Sequence, residues 1–125
     1  MNRIEKNEER EQRIDYEIVV DAYDEYERSA GWYCHLESNI AFPFKAKVIK
    51  ASGISPLKFG EEVSVLGMAD QSKCEVDMFV QIEWDGRKFG VPLEQIYPVS
   101  KSDVDEDTLN AIEDWHYWVD MGYCF

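Results

Sequence analysis

Carboxylates recur every three residues through Val20-Asp21-Ala22-Tyr23-Asp24-Glu25-Tyr26-Glu27-Arg28, interleaved with aromatic side chains. Asp21, Asp24 and Glu27 set that spacing, and Glu25 lies four residues beyond Asp21. On one uninterrupted helix these groups would be like-charged neighbours along a face, which is mildly destabilising. Both flanks have helical periodicity, so a break near Tyr23 is expected, and a break leaves backbone carbonyls without partners. Carboxylate and carbonyl oxygens gathered together are the donors that a hard cation such as calcium takes. Two carboxylates about 4 Å apart repel by roughly 1 kcal/mol in water and about 4 kcal/mol at an intermediate dielectric; a divalent ion between them reverses the sign. The competing reading is that Asp24 and Glu27 only cap a helix while Asp21 is solvated.

A second acidic segment is Ser102-Asp103-Val104-Asp105-Glu106-Asp107-Thr108. Alternating Asp103, Asp105 and Asp107 match the opening of an EF-hand loop, but the match fails further on. Thr108 stands where the loop needs glycine, and its twelfth position is Asp114 rather than glutamate. Acidic charge at a helix N-terminus explains the run more simply, and a weak, solvent-rich second metal site is the residual expectation.

Catalytic and zinc chemistry find little support. His35 and His116 are the only histidines. Cys34 and His35 would project about 100° apart on a helix, so they cannot serve each other as nucleophile and base. No C-x-x-C or H-x-x-x-H spacing offers a zinc site, and the glycines are too scattered for a phosphate loop. His116 falls in an apolar helical row, where a hydrogen-bonded core role is expected. Phe79, Trp84, Phe89 and Tyr97 could line a peptide groove, although alternation turns Met78, Val80, Ile82 and Trp84 toward a core.

The elements that must position these residues follow from periodicity. Ile14, Ile18 and Ala22 form an i, i+4 row over about residues 8–22, widened by Val19. Asp24 with Glu27 spells a capping box opening a second helix to about Ser38, with Trp32, Leu36 and Ile40 as its row. The period then drops to two. Phe42, Phe44, Ala46 and Val48 alternate, a second strand is expected over Glu62 to Leu66, and Met78, Val80, Ile82 and Trp84 alternate again. Asp85-Gly86 is a two-residue hairpin turn before a partner strand from Arg87 to Val91. A helical turn at Pro92 to Ile96 and a short strand at Tyr97 to Val99 complete the order. Leu109, Ile112, His116 and Val119 mark a last helix, and Trp115 with Trp118 widen its apolar face.

The expected fold is therefore α+β: a small SH3-like β-barrel of about five strands (about residues 42–99). It packs against two N-terminal helices (about 11–38) and one C-terminal helix (about 107–121). Residues 1–10 are charged on all sides and expected to fray, leaving 11–125 as a single domain.

Composition narrows the function. The 125 residues carry 26 Asp+Glu against 13 Lys+Arg, a formal charge of -13. Such a surface repels phosphate backbones, so no nucleic-acid partner is expected, and it stores self-repulsion that a bound cation relieves. No apolar run suits a membrane span, and the polar start is unlike a signal peptide, so a cytoplasmic location is expected. Cys34, Cys74 and Cys124 form no close pair and are expected to be free thiols.

Several segments together resemble a known bacterial family: Glu17-Ile18-Val19-Val20-Asp21-Ala22-Tyr23, Gly31-Trp32-Tyr33 through Leu36-Glu37, Phe42-Pro43-Phe44-Lys45-Ala46, Val65-Leu66-Gly67-Met68 and Asp114-Trp115-His116-Tyr117-Trp118. It is the calcium-binding family typified by a small acidic cyanobacterial protein, and the similarity runs from about residue 12 to 123. The resemblance implies calcium binding without a regular EF-hand, for buffering or signalling. Asp21 and Glu37 match the family's recurrent acidic words, with Asp24, Glu25 and Glu27 nearby. Where relatives often carry Tyr-Tyr-Leu-Glu-Asp, this chain has Cys34-His35-Leu36-Glu37-Ser38, so a carboxylate is lost at Ser38.

The expectation is thus a cytoplasmic, non-catalytic, non-EF-hand calcium-binding protein, a buffer or sensor, with metal ligands among Asp21, Asp24, Glu25, Glu27 and Glu37. Its partner is the calcium ion; no membrane is involved, and a protein partner is left open. The alternative is an SH3-like protein-interaction module that does not depend on metal. A weaker third option is an acidic mimic of nucleic acid.

Overall fold

The computed structural model describes residues 6–20, 22–50, 57–75, 77–123 and 125. Helix α1 (Glu8–Arg13) is capped by Asn7, whose side chain accepts from the Arg10 amide at 3.0 Å. It continues as a wider π-turn over Ile14–Ile18, closed by the Val19 amide on the Ile14 carbonyl at 2.9 Å. Helix α2 (Glu25–Asn39) starts at Asp24 and buries Ser29, Trp32 and Leu36. Of the segment expected to fray, residues 1–5 lie outside the described residues, whereas residues 8–10 are helical and anchored.

That anchor is electrostatic. Asp114, on helix α3 (Glu106–Asp120), is fully buried. Arg13 grips both its carboxylate oxygens, Nε to Oδ2 at 2.6 Å and Nη2 to Oδ1 at 2.7 Å, and Arg10 Nη1 adds a third bond at 2.6 Å. A carboxylate with this many charge-assisted bonds tolerates burial that an unpaired one does not. Glu11 extends the same contact by accepting the hydroxyls of Tyr117 at 2.5 Å and Tyr123 at 2.8 Å.

Five antiparallel strands follow: β1 (Phe44–Val48), β2 (Glu62–Met68), β3 (Phe79–Trp84), β4 (Arg87–Pro92) and β5 (Ile96–Pro98), in spatial order β4-β3-β2-β1-β5. Asp85 and Gly86 both take positive φ (52° and 73°), the conformation a two-residue hairpin turn needs, so Arg87 falls opposite Trp84 as the sequence requires. The α+β class holds, with the expected strand order, whereas closure of the sheet into an SH3-like barrel is not seen. The sheet is open, with β4 and β5 as its two edges. Helix α3 meets the edge strand β5, where His116 Nε2 lies 2.9 Å from the Ile96 carbonyl.

Side chains from one sheet face and from α2 and α3 make one continuous core. Its centre is aromatic. Trp32 lies 5.0 Å from Trp115 at 74° and 5.5 Å from Trp118, edge-to-face and tilted contacts that aromatic quadrupoles favour. The two tryptophans of α3 are thus covered by α2. Thr108 locks the helix ends together, its Oγ1 accepting from the Ala41 amide at 2.8 Å. No helix of the described residues is long and apolar enough to cross a membrane.

Gly31 fixes how the first helix meets the second. A Cβ there would stand 2.4 Å from the Ile18 carbonyl oxygen, a backbone atom that cannot swing aside. Gly31→Ala should therefore destabilise the fold by about 1–3 kcal/mol, the range for overpacking a tight contact, as read by urea unfolding. Asp114→Asn removes the charge that both arginines share and should cost about 3 kcal/mol in the same assay.

Candidate metal centre

At the junction between the first two helices the cap expected from Asp24 and Glu27 is present. After Ile18 the chain turns, the Ala22 amide bonding the Val19 carbonyl at 3.1 Å. Asp24 is extended and caps α2, its Oδ1 accepting from the Glu27 amide at 2.8 Å. Glu27 reaches back, its Oε2 accepting from the Tyr23 amide at 3.3 Å, a capping box with the glutamate bond displaced one residue from the usual partner. Glu25 lies in the first turn, and all three acids are exposed. They complement the positive end of the α2 dipole. Tyr23, 83 % exposed, stands beside them.

Asp21 lies outside the described residues. Glu37 is on α2 but not at the junction: ten residues beyond Glu27, it stands about 15 Å along the helix axis. Its neighbour is Tyr33, whose hydroxyl donates to the Ala69 carbonyl at 2.8 Å. Burial first, and then the Glu37 carboxylate, push the Tyr33 phenol up to about 12.

The second acidic segment does not gather into a site. Lys101–Asp103 forms a single helical turn, and Asp105 is the N-cap of α3, accepting from the Thr108 amide at 2.7 Å. That bond holds the Asp105 carboxyl below its ordinary range. Its contribution to stability is present above the normal aspartate pKa and fades as pH falls through the lowered value. Asp107 belongs to the first turn of the helix. The alternation that imitates a ligand loop in the sequence is, in three dimensions, a cap followed by a helical turn. Among the described residues no three Asp, Glu, His or Cys side chains stand close enough to share a metal ion.

The remaining chemical candidates are committed elsewhere. His116 is half-buried on the Ile96 carbonyl, and burial pushes its imidazole below the ordinary range. His35 is likewise lowered by burial, with Asn39 Nδ2 3.3 Å from its Nδ1. Cys34 and Cys74 are free thiols, the second buried, and Cys74 is raised by that burial; Cys124 lies outside the described residues. Of the aromatics expected in a groove, Phe79 and Phe89 line one of about 600 Å³ together with Met68, Lys73 and Lys88. Trp84 instead donates to Glu61 at 3.1 Å, and Tyr97 packs edge-on to His116.

Two features escaped sequence reading. Asp114 is an acid with a structural task, and its only signal was the pair Arg10 and Arg13, spaced to share a helix face. The second is a contact between the Asp77 and Glu94 carboxyls, which only the fold brings together.

A family model described as calcium binding, that of CcbP, matches residues 12–119. The crystal structure of CcbP from Anabaena superposes with a TM-score of 0.85 at 41 % identity, over all of both chains. A structure of a calcium-binding protein in the calcium-binding form superposes with a TM-score of 0.83, also at 41 % identity and over all of both chains. No individually curated protein matches the chain.

The two caps offer a direct check on the local geometry. Asp24→Ala and Asp105→Ala should each lower unfolding free energy by about 1 kcal/mol, whereas Asn at either position should retain most of it. Denaturation of the four variants in chelator, without calcium, reads this out.

Proposed function

The chain belongs to the CcbP family of calcium-binding proteins, and from that premise we propose that it binds calcium at the junction between α1 and α2. It acts there as a cytoplasmic, non-catalytic, non-EF-hand buffer or sensor. The observation that carries this reading is the capping box. It holds Asp24 and Glu27 on the backbone at the start of α2, each through one carboxylate oxygen. Asp24 Oδ2, Glu27 Oε1 and both oxygens of Glu25 have no hydrogen bond among the described residues, so they remain available to an ion.

The donor set fits calcium. It consists of hard oxygens, with no thiolate or imidazole required, and calcium accepts six to eight oxygens in flexible geometry. Asp21 is the principal ligand in this proposal. Asp24, Glu25 or Glu27 helps it, and carbonyls at the end of the first helix supply neutral donors. Glu37, about 15 Å along α2, adds to the negative field without coordinating. The chain's formal charge of -13 raises the local cation concentration and is itself relieved on binding. An exposed, partly hydrated site of this kind binds in the micromolar to millimolar range.

Binding to the folded state alone makes this measurable. At free calcium about 100 times the dissociation constant, the fold should gain roughly 2.7 kcal/mol. Thermal melts in chelator, calcium and magnesium test it. Calcium should raise the midpoint well beyond an equal concentration of magnesium. Asp21→Asn should abolish that difference, and Asp105→Asn should leave it. Equal shifts with both ions, or an unchanged response in Asp21→Asn, would contradict the proposal.

A further inference from the structure

Asp77, just before β3, and Glu94, in the helical turn after β4, meet as two half-buried carboxyls. Among the described residues neither forms an ion pair with any Lys, Arg or His. The contrast with Asp114 is direct, since that buried carboxylate has two arginines. The positions of both groups are otherwise fixed. Asp77 Oδ1 accepts from the Met78 amide at 2.8 Å, and Trp115 Nε1 donates to Glu94 Oε2 at 3.0 Å.

The pair opens into a cleft of about 230 Å³ whose other walls include Trp115, Trp118, Tyr123 and Phe125. The rings hold one another in place: Trp118 lies 5.2 Å from Tyr123, and Phe125 lies 6.0 Å from Trp115 and 6.5 Å from Trp118. Phe125 is fixed in turn by Arg28, whose Nε donates to the Phe125 carbonyl oxygen at 2.6 Å.

We propose that this cleft binds an organic cation, an alkylammonium or guanidinium group, with the Asp77 and Glu94 carboxyls accepting its N–H bonds and the aromatic walls covering its carbon-bearing flank. Aromatic faces attract such cations through their quadrupoles. Two like charges in contact away from water must take up either a proton or a cation. Without a ligand the pair takes the proton: burial first, and then the Glu94 carboxyl, push Asp77 up to about 8. The same cleft is ill suited to calcium, because it offers two carboxyls and hydrocarbon walls where that ion needs six or more oxygens. The site is thus separate from the helix junction and independent of whether calcium binds there. The chain's acidic excess draws cations toward both.

The test uses the full chain, stripped of metal and labelled with ¹⁵N, with the indole N–H resonances of Trp115 and Trp118 as the readout. The probes are n-butylammonium, methylguanidinium and a short blocked peptide with one lysine; n-butanol and potassium chloride at matched ionic strength are the controls. The expected result is a saturable shift with at least one cationic probe that neither control reproduces. The Asp77→Asn/Glu94→Gln double variant, which removes repulsion and so keeps its fold, should weaken binding at least tenfold. Phe125→Leu, which keeps the backbone contact with Arg28, should weaken it several-fold. Tighter binding of the peptide than of n-butylammonium would assign the cleft to a basic side chain of a protein partner, and the reverse order to a free amine. The proposal is overturned by shifts no larger than those from potassium chloride, by equal affinity in the double variant, or by competitive displacement of the probe with calcium.

Discussion

The carbonyl oxygen of Ile18 occupies the space that any side chain on residue 31 would need, and much of the N-terminal half is arranged around that contact. Gly31 lies in the second turn of α2, so the end of the first helix rests on the backbone of the second. From there Ile14 and Ile18 turn inward, joining the core that contains Trp32 and Leu36. Only six residues then separate Ile18 from the first residue of α2. That short connection is pinned at one side by a backbone contact and at the other by the Asp24 cap. The far end of the first helix is held by Asp114 through Arg10 and Arg13, so α3 clamps what Gly31 positions.

The acidic residues divide into three groups with different energetics. Asp114 is buried and paired, and it serves the fold. Asp24 and Asp105 are exposed caps, each supporting one helix start by about 1 kcal/mol. Asp77 with Glu94 is a half-buried pair in which burial, and then Glu94, favour the protonated Asp77, while the junction oxygens left over from the cap are exposed.

Local signals in the sequence were accurate where the governing physics is local. The capping box at Asp24 and Glu27, the Asp85-Gly86 turn and the three helices depend on spacings of two to four residues and were legible at once. Closure of the sheet was not. Whether five short strands close depends on how the edge strands β4 and β5 approach each other across the sheet, which no local spacing reports. Asp103, Asp105 and Asp107 misled for a related reason: alternation along the chain imitates a ligand loop, but a helix start rotates successive side chains away from one another. Glu37 entered through family resemblance rather than through spacing, and the length of α2 separates it from the other acids. The Asp77–Glu94 contact joins residues seventeen positions apart, and neither has a pattern around it that foretells a partner.

Carbonyl and carboxylate ¹³C chemical shifts, followed while calcium is added to the metal-stripped protein, test the location of the ion most directly. The account predicts that the largest saturable changes fall on backbone carbonyls of residues 18–23 and on the carboxylates of Asp21, Asp24, Glu25 and Glu27, with Asp103, Asp105 and Asp107 nearly unmoved. Changes centred on Glu37, on the 103–107 segment or on Asp77 and Glu94, with the junction silent, would contradict it.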